Sequence, residues 1–130
     1  MAKNQTYDSS WDRHGNEEAF KAKQAEWEGR EWASWLSENL GFPFYAERMQ
    51  SIEDVEARGL IYDKDDFFGY GHSMKVLAIK EEDPTQGIIV KAREGRRVDN
   101  VPLLELRVTP RKNKNYWPVR EYQVWRSSSQ

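Results

Sequence analysis

The feature that most constrains the fold of this chain is a change of hydrophobic period near residue 41. Upstream of it, large apolar side chains recur at the spacings of one helical face: Phe20, Trp27, Trp32, Trp35, Leu36 and Leu40. Lys, Glu and Arg fill the opposite face. Downstream, short alternating stretches replace this pattern. The chain is therefore predicted to be α+β, with an N-terminal amphipathic helix followed by short β-strands.

The predicted helix runs from about residue 16 to residue 40. Asn16 is a suitable N-terminal cap, and two glutamates follow it in the first turn, at the positive end of the helix dipole. Gly29 weakens the middle and is a point at which the helix can divide. Gly41, with Pro43 two residues later, is typical of a helix end.

Short strands are predicted over residues 42–49, 74–79, 87–93 and 98–108, and an aromatic segment then completes the domain at residue 126. Residues 51–73 form a long acidic excursion between the first two strands. No crossover helix separates the strands, so a small barrel or sandwich is favoured over a parallel sheet. We place the barrel at residues 42–126.

The length of 130 residues suits one domain. Six Trp, six Tyr and five Phe supply its core, since each aromatic side chain buries about 150–250 Å². We predict a flexible arm over residues 1–15, a single compact domain over 16–126 and a frayed tail over 127–130.

Composition excludes several classes of function. The net charge of −2 argues against a dedicated nucleic-acid binder, although it leaves room for a local basic patch. The chain lacks cysteine, which excludes disulfides, thiolate metal sites and cysteine nucleophiles. No apolar stretch reaches the roughly 18 residues of a membrane span, and the chain opens without an apolar leader. We expect a cytoplasmic protein with no membrane partner.

No catalytic motif stands out. The serines lack a nucleophile-elbow context, Gly69-Tyr70-Gly71 is not a phosphate-binding loop, and His14 and His72 are too few for a transition-metal site. The chain is predicted not to be an enzyme.

Two acidic clusters contain the oxygen ligands that calcium prefers. Glu81, Glu82 and Asp83 precede Pro84 on a predicted turn between strands. The second-choice cluster lies in the excursion and is interrupted by a lysine: Asp63, Asp65 and Asp66. An EF-hand loop starting at Asp63 fails at several positions. From the residues alone, the competing interpretation is that both clusters are solvated turns, as most acidic runs are.

A basic and aromatic surface gives an alternative function. It would comprise Arg96, Arg97, Lys112, Tyr116 and Trp117. Small barrels bind proteins, nucleic acids or small anionic ligands through such surfaces by charge and stacking. The competing interpretation is that these aromatic residues fill the core and the cations form its solvated rim.

Three ordered phrases resemble one known family. They are WLSENLGFPFYAE at 35–47, VLAIKEED at 76–83 followed by GIIV and GRR, and VPLLEL at 101–106 followed by NY and YQVW. Their order and spacing are similar to the cyanobacterial-type calcium-binding protein (CcbP) family over roughly residues 32–126.

The resemblance implies one helix with a small SH3-like antiparallel β-barrel that binds calcium through acidic side chains. It carries Glu81, Glu82 and Asp83 over as metal ligands, with calcium as the cofactor and the partner. The leading hypothesis is therefore a non-enzymatic calcium buffer or sensor, and a protein or small-ligand binding module is the alternative. The excursion at 51–73 is longer than is usual in the family.

Overall fold

A computed structural model describes residues 8–50, 55–57, 59 and 67–128. The helices with described bounds are α1 (Glu17–Trp27), α2 (Trp32–Asn39) and α3 (Tyr116–Ser128), with 3-10 turns at Ser10–Asp12 and Leu103–Glu105; residues 55–57 are helical as well. The strands are β1 (Phe44–Arg48), β2 (Ser73–Asp83), β3 (Gly87–Glu94), β4 (Arg97–Pro102) and β5 (Leu106–Val108). The predicted α+β class is confirmed.

The predicted N-terminal helix is divided into two. Asn16 caps α1 by accepting a hydrogen bond from the Ala19 N–H at 3.3 Å. Gly29 then takes a φ of +78°, a left-handed conformation that a side chain disfavours, and the chain turns before α2 begins. A continuous helix over 16–40 is therefore wrong, although the end of α2 at Asn39 is close to the predicted one.

The strands form one antiparallel sheet in the order β4-β3-β2-β1-β5. Within the described residues β4 and β5 do not pair, so the sheet is open and the predicted SH3-like barrel is not confirmed. The chain from Pro102 to Leu106 spans at most about 14 Å, whereas the edges of a flat five-stranded sheet lie about 19 Å apart. The sheet must therefore curve strongly to bring its two edge strands together.

The last element differs from the prediction, which made residues up to 126 part of the barrel and 127–130 a tail. The structure has α3 there instead, from Tyr116 to Ser128. Pro118 lies in the first turn of α3, where a backbone N–H has no acceptor within the helix, so proline is tolerated. Asn115, which is buried, connects the start of α3 to the end of α2: its side chain accepts from the Gly41 N–H at 2.7 Å and donates to the Gly41 carbonyl at 3.2 Å.

The helices pack on one face of the sheet. Buried residues of this core come from the helices and from alternate positions of the strands: Trp27, Leu36, Val119, Tyr122, Val76, Ile88, Val90, Ala92 and Val101. Trp11, from the predicted flexible arm, is only 4% exposed and joins the same core. None of the helices in the described residues is long and apolar enough to cross a membrane.

Candidate metal centre

The first acidic cluster lies in a strand rather than on a turn. Glu81, Glu82 and Asp83 are the last residues of β2, and the turn begins only after them. Glu81 is paired with Ile89, and Glu82 with Ile88. Because successive side chains of a strand point to opposite faces, Glu81 lies on the outer face and Glu82 on the helix-covered face. The expectation of three carboxylates together on one turn is therefore wrong.

Asp83 organises the turn between β2 and β3. Its Oδ1 accepts hydrogen bonds from the backbone N–H groups of Thr85 at 2.7 Å and Gln86 at 2.9 Å. The bond from Gln86, followed by that from Thr85, lowers the pKa of Asp83 below its ordinary value. The carboxylate is thus ionised at neutral pH and held at the hairpin end.

Two side chains of α3 contact this hairpin. The Tyr122 hydroxyl accepts a hydrogen bond from the Ile88 N–H at 2.9 Å, and Arg126 donates to the Thr85 carbonyl at 3.1 Å. Gly87 lies beneath both, with a φ of +79°, and a side chain there would collide with the Tyr122 hydroxyl. Burial is the main cause that raises the Tyr122 pKa, and the negative charge of Glu82 contributes in the same direction.

Sequence analysis missed Tyr122 and Arg126 because they lie more than thirty residues from the hairpin in the chain. A signal was present: Val119, Tyr122 and Arg126 follow the i, i+3, i+7 spacing of a helical face. The sequence analysis instead assigned that segment to the barrel, without recognising the helical spacing.

The described residues do not form a complete calcium site. No group of three or more Asp, Glu or His side chains within them converges closely enough to hold a metal ion. At the end of the hairpin, the oxygen atoms available are those of Glu82, Asp83 and the Thr85 carbonyl, and the Arg126 guanidinium lies beside the Thr85 carbonyl. The second-choice ligands Asp63, Asp65 and Asp66 lie outside the described residues.

The alternative basic and aromatic surface is divided between two places. Arg96 and Arg97 lie at the β3–β4 turn, where the Arg97 guanidinium is 4.8 Å from the Phe67 ring centroid. Tyr116 and Trp117 are the first residues of α3, and Lys112 lies in the turn that precedes it.

At the start of α3, Arg111 covers the two aromatic rings, 5.4 Å from each centroid. The Trp117 ring also packs against Trp11, at 5.9 Å between centroids. The predicted set is therefore not one surface, and its aromatic members take part in internal packing.

Comparison with known proteins gives one family and one structure. The family model of the CcbP proteins, which is described as calcium binding, matches residues 18–126. The crystal structure of Anabaena CcbP is similar with a TM-score of 0.57 and 11% identity, over 82% of this chain and 90% of that chain. At such low identity this likeness shows the fold alone. No curated protein matches the sequence.

The family match confirms the resemblance found in the sequence, and its description supports calcium as the bound ion. Since the matched residues make up most of the 130-residue chain, this protein belongs to the CcbP family of calcium-binding proteins.

Proposed function

We propose that this protein is a non-enzymatic calcium-binding protein whose site lies at the end of the β2–β3 hairpin. Glu82 and Asp83 would supply carboxylate oxygens, and Thr85 a carbonyl oxygen. Glu81, on the sheet face opposite to that of Glu82, would add negative charge without direct ligation. The observation that carries the proposal is the placement of these oxygen atoms at one hairpin end, in a family described as calcium binding.

The expected affinity is low. Calcium takes six to eight oxygen ligands, and the hairpin offers only a few, so water would complete the coordination. Asp83 already accepts two backbone hydrogen bonds, and Arg126 places a positive charge nearby. Because calcium affinity depends on the number of charged ligands, we expect a dissociation constant in the weak range of about 0.1–1 mM.

A sensor is favoured over a buffer because the hairpin is bonded to α3. The contacts from Tyr122 to Ile88 and from Arg126 to Thr85 connect the proposed ligands to the last helix of the described chain. A change at the hairpin would therefore alter the environment of α3. A buffer would need no such connection.

Isothermal titration calorimetry with calcium at low ionic strength tests the proposal. We expect saturable heat from the unaltered protein and its loss in the triple variant Glu81→Gln, Glu82→Gln, Asp83→Asn. The variant Glu17→Gln, Glu18→Gln is the control, since these carboxylates lie in the first turn of α1. The variant Asp63→Asn, Asp65→Asn, Asp66→Asn tests the second-choice cluster.

If only the second-choice variant loses the heat, the calcium site is elsewhere and the hairpin proposal is wrong. If the unaltered protein gives no saturable heat at millimolar calcium, calcium binding itself is refuted. Chemical-shift changes at Tyr122 and Arg126 on calcium addition would distinguish the sensor, whereas changes confined to the ligands would indicate a buffer.

A further inference from the structure

Among the described residues, the sheet face opposite the helices carries a group of basic and apolar side chains that are exposed or half-exposed. Cross-strand pairing places Tyr45 of β1 beside Lys75 of β2, Lys75 beside Arg93 of β3, and Arg93 beside Val98 of β4. Lys91 follows on the same face, because it is two residues from Arg93 in β3. We call Tyr45, Lys75, Lys91, Arg93 and Val98 the outer basic face.

The cations of this face are not neutralised by neighbouring carboxylates. Lys75 and Arg93 lie directly opposite each other, an arrangement of like charges that destabilises a sheet. Within the described chain, Lys75, Lys91 and Arg93 form no ion pair.

By register, Glu47 and Glu81 are the carboxylates of the outer side that lie nearest to these cations. Glu47 is occupied by Arg107, at 2.9 Å. Glu81 lies beside Ile89, two residues beyond Lys91 along β3. Neither compensates the three cations, so this face attracts a negatively charged partner.

An exposed aromatic ring lies at one end of the row. Tyr45 is 55% exposed, the largest exposure among the big hydrophobic side chains described, and the Lys75 Nζ lies 5.6 Å from its ring centroid. Val98, at the other end, is 51% exposed. The face therefore offers a planar stacking surface and apolar area beside its positive charge.

We propose that the outer basic face binds single-stranded nucleic acid. Phosphates would contact Lys75, Lys91 and Arg93, while a base stacks on Tyr45. Cations one strand apart, at about 4.8 Å, and two residues apart, at about 7 Å, suit a flexible chain of phosphates. Sheets with exposed aromatic residues between cations bind single strands in this way.

A single strand fits this face better than an acidic peptide does, because carboxylates would use the cations and leave the exposed Tyr45 ring without a planar partner. The net charge of −2 does not oppose the proposal, since the excess of acid over base lies elsewhere in the molecule. The inference is independent of calcium binding at the hairpin.

Fluorescence anisotropy of a labelled single-stranded oligonucleotide of about ten nucleotides tests the proposal. We expect saturable binding at low salt. A plot of the logarithm of the association constant against the logarithm of the salt concentration should have a slope of about −2, because each of three phosphate contacts contributes about −0.7. Lys75→Gln with Arg93→Gln should reduce the slope to about −0.7. Tyr45→Ala should weaken binding about tenfold, whereas Tyr45→Phe keeps the stacking ring and most of the affinity.

The matched control is Arg13→Gln with Lys21→Gln, which removes the same charge from exposed positions near the N-terminus. The proposal is supported if the control binds as well as the unaltered protein and the face variant does not bind. Thermal melts must show that all variants are folded. Equal loss in both would mean diffuse charge attraction and would refute it. Equal binding of polyglutamate, with no effect of Tyr45→Ala, would assign the face to acidic peptides, and absence of binding at low salt would exclude it altogether.

Discussion

Tyr122 is one of the two side chains of α3 that bind the β2–β3 hairpin. It is 1% exposed, and its hydroxyl accepts the hydrogen bond of the Ile88 N–H. Tyr122→Phe keeps the ring but leaves that buried N–H without its partner, at a cost of about 1–3 kcal/mol in the free energy of unfolding. Urea denaturation at pH 7 measures the loss, and Tyr116→Phe, on the same helix, is the control. A loss no larger than that of the control would show that the hydroxyl bond contributes nothing.

The same residue gives the protein a stability that depends on pH. Burial raises the Tyr122 pKa above its ordinary value of 10.0. A group whose pKa is raised on folding stabilises the folded state fully at pH values below its unfolded pKa. This stabilisation is lost as the pH rises through its folded pKa. The unaltered protein should therefore lose stability above about pH 10, and Tyr122→Phe should lose less over the same range.

The positive charge of Arg126 lowers the expected calcium affinity of the proposed site. Its guanidinium donates to the Thr85 carbonyl and is near enough to Asp83 to help lower that pKa, although less than the backbone bonds do. Arg126→Gln keeps a donor and removes the charge, so calcium affinity should rise by about threefold to tenfold at low salt. Calorimetry measures the change, with Arg111→Gln as the control. If the variant still binds calcium and its affinity is unchanged, the ion binds away from Arg126.

At the scale of elements, a buried carboxylate joins α3 to α1 and to the turn between α1 and α2. Glu121, 3% exposed, accepts hydrogen bonds from the Trp27 Nε1–H at 2.8 Å and from Arg30 at 3.1 Å, and Lys23 lies at 3.4 Å. Glu121→Gln removes the charge between two cations and should cost about 2–4 kcal/mol. Glu26→Gln, at an exposed partner of the same cations, should cost less than about 1 kcal/mol. Equal costs in chemical denaturation would contradict a special role for the buried carboxylate.

The elements differ in how well the sequence predicts them. The strands from Met74 to Ile79 and from Gly87 to Arg93 are correct because alternation and turn residues are local signals. The helix break is marked by Gly29 itself. The sequence does not predict that residues 116–128 form a helix, because aromatic residues favour strands and Pro118 disfavours a helix. The packing contacts that stabilise this helix come from residues distant in the sequence.

The candidate site is less predictable than the fold. The sequence identifies Glu81, Glu82 and Asp83 as a cluster, but pairing with β3 directs Glu81 and Glu82 to opposite faces. Sequence proximity therefore overstates how closely carboxylates converge when they lie in a strand. The contacts of Arg126 and Tyr122 with the hairpin depend on tertiary structure, which no local pattern encodes.

For the whole molecule, the tryptophan cluster of Trp11, Trp27 and Trp117 joins the N-terminal segment to α1 and α3. Trp11 makes edge contacts with Trp27 at 5.3 Å and with Trp117 at 5.9 Å between ring centroids. Asp12, next in sequence, forms an ion pair with Arg120 of α3 at 3.0 Å. The predicted arm thus contains a residue that completes the core.

Trp11→Ala should therefore destabilise the entire fold rather than loosen one end. Removing a buried Trp side chain costs about 3–5 kcal/mol, a large part of the total of about 5–15 kcal/mol for a small domain. Thermal unfolding should show a single transition at a much lower temperature, because the ring contacts two helices at once. Asp12→Asn removes only a partly exposed ion pair and should cost less than about 1 kcal/mol. If Trp11→Ala unfolds at the temperature of the unaltered protein, residues 8–15 act as the separable arm that the sequence suggested.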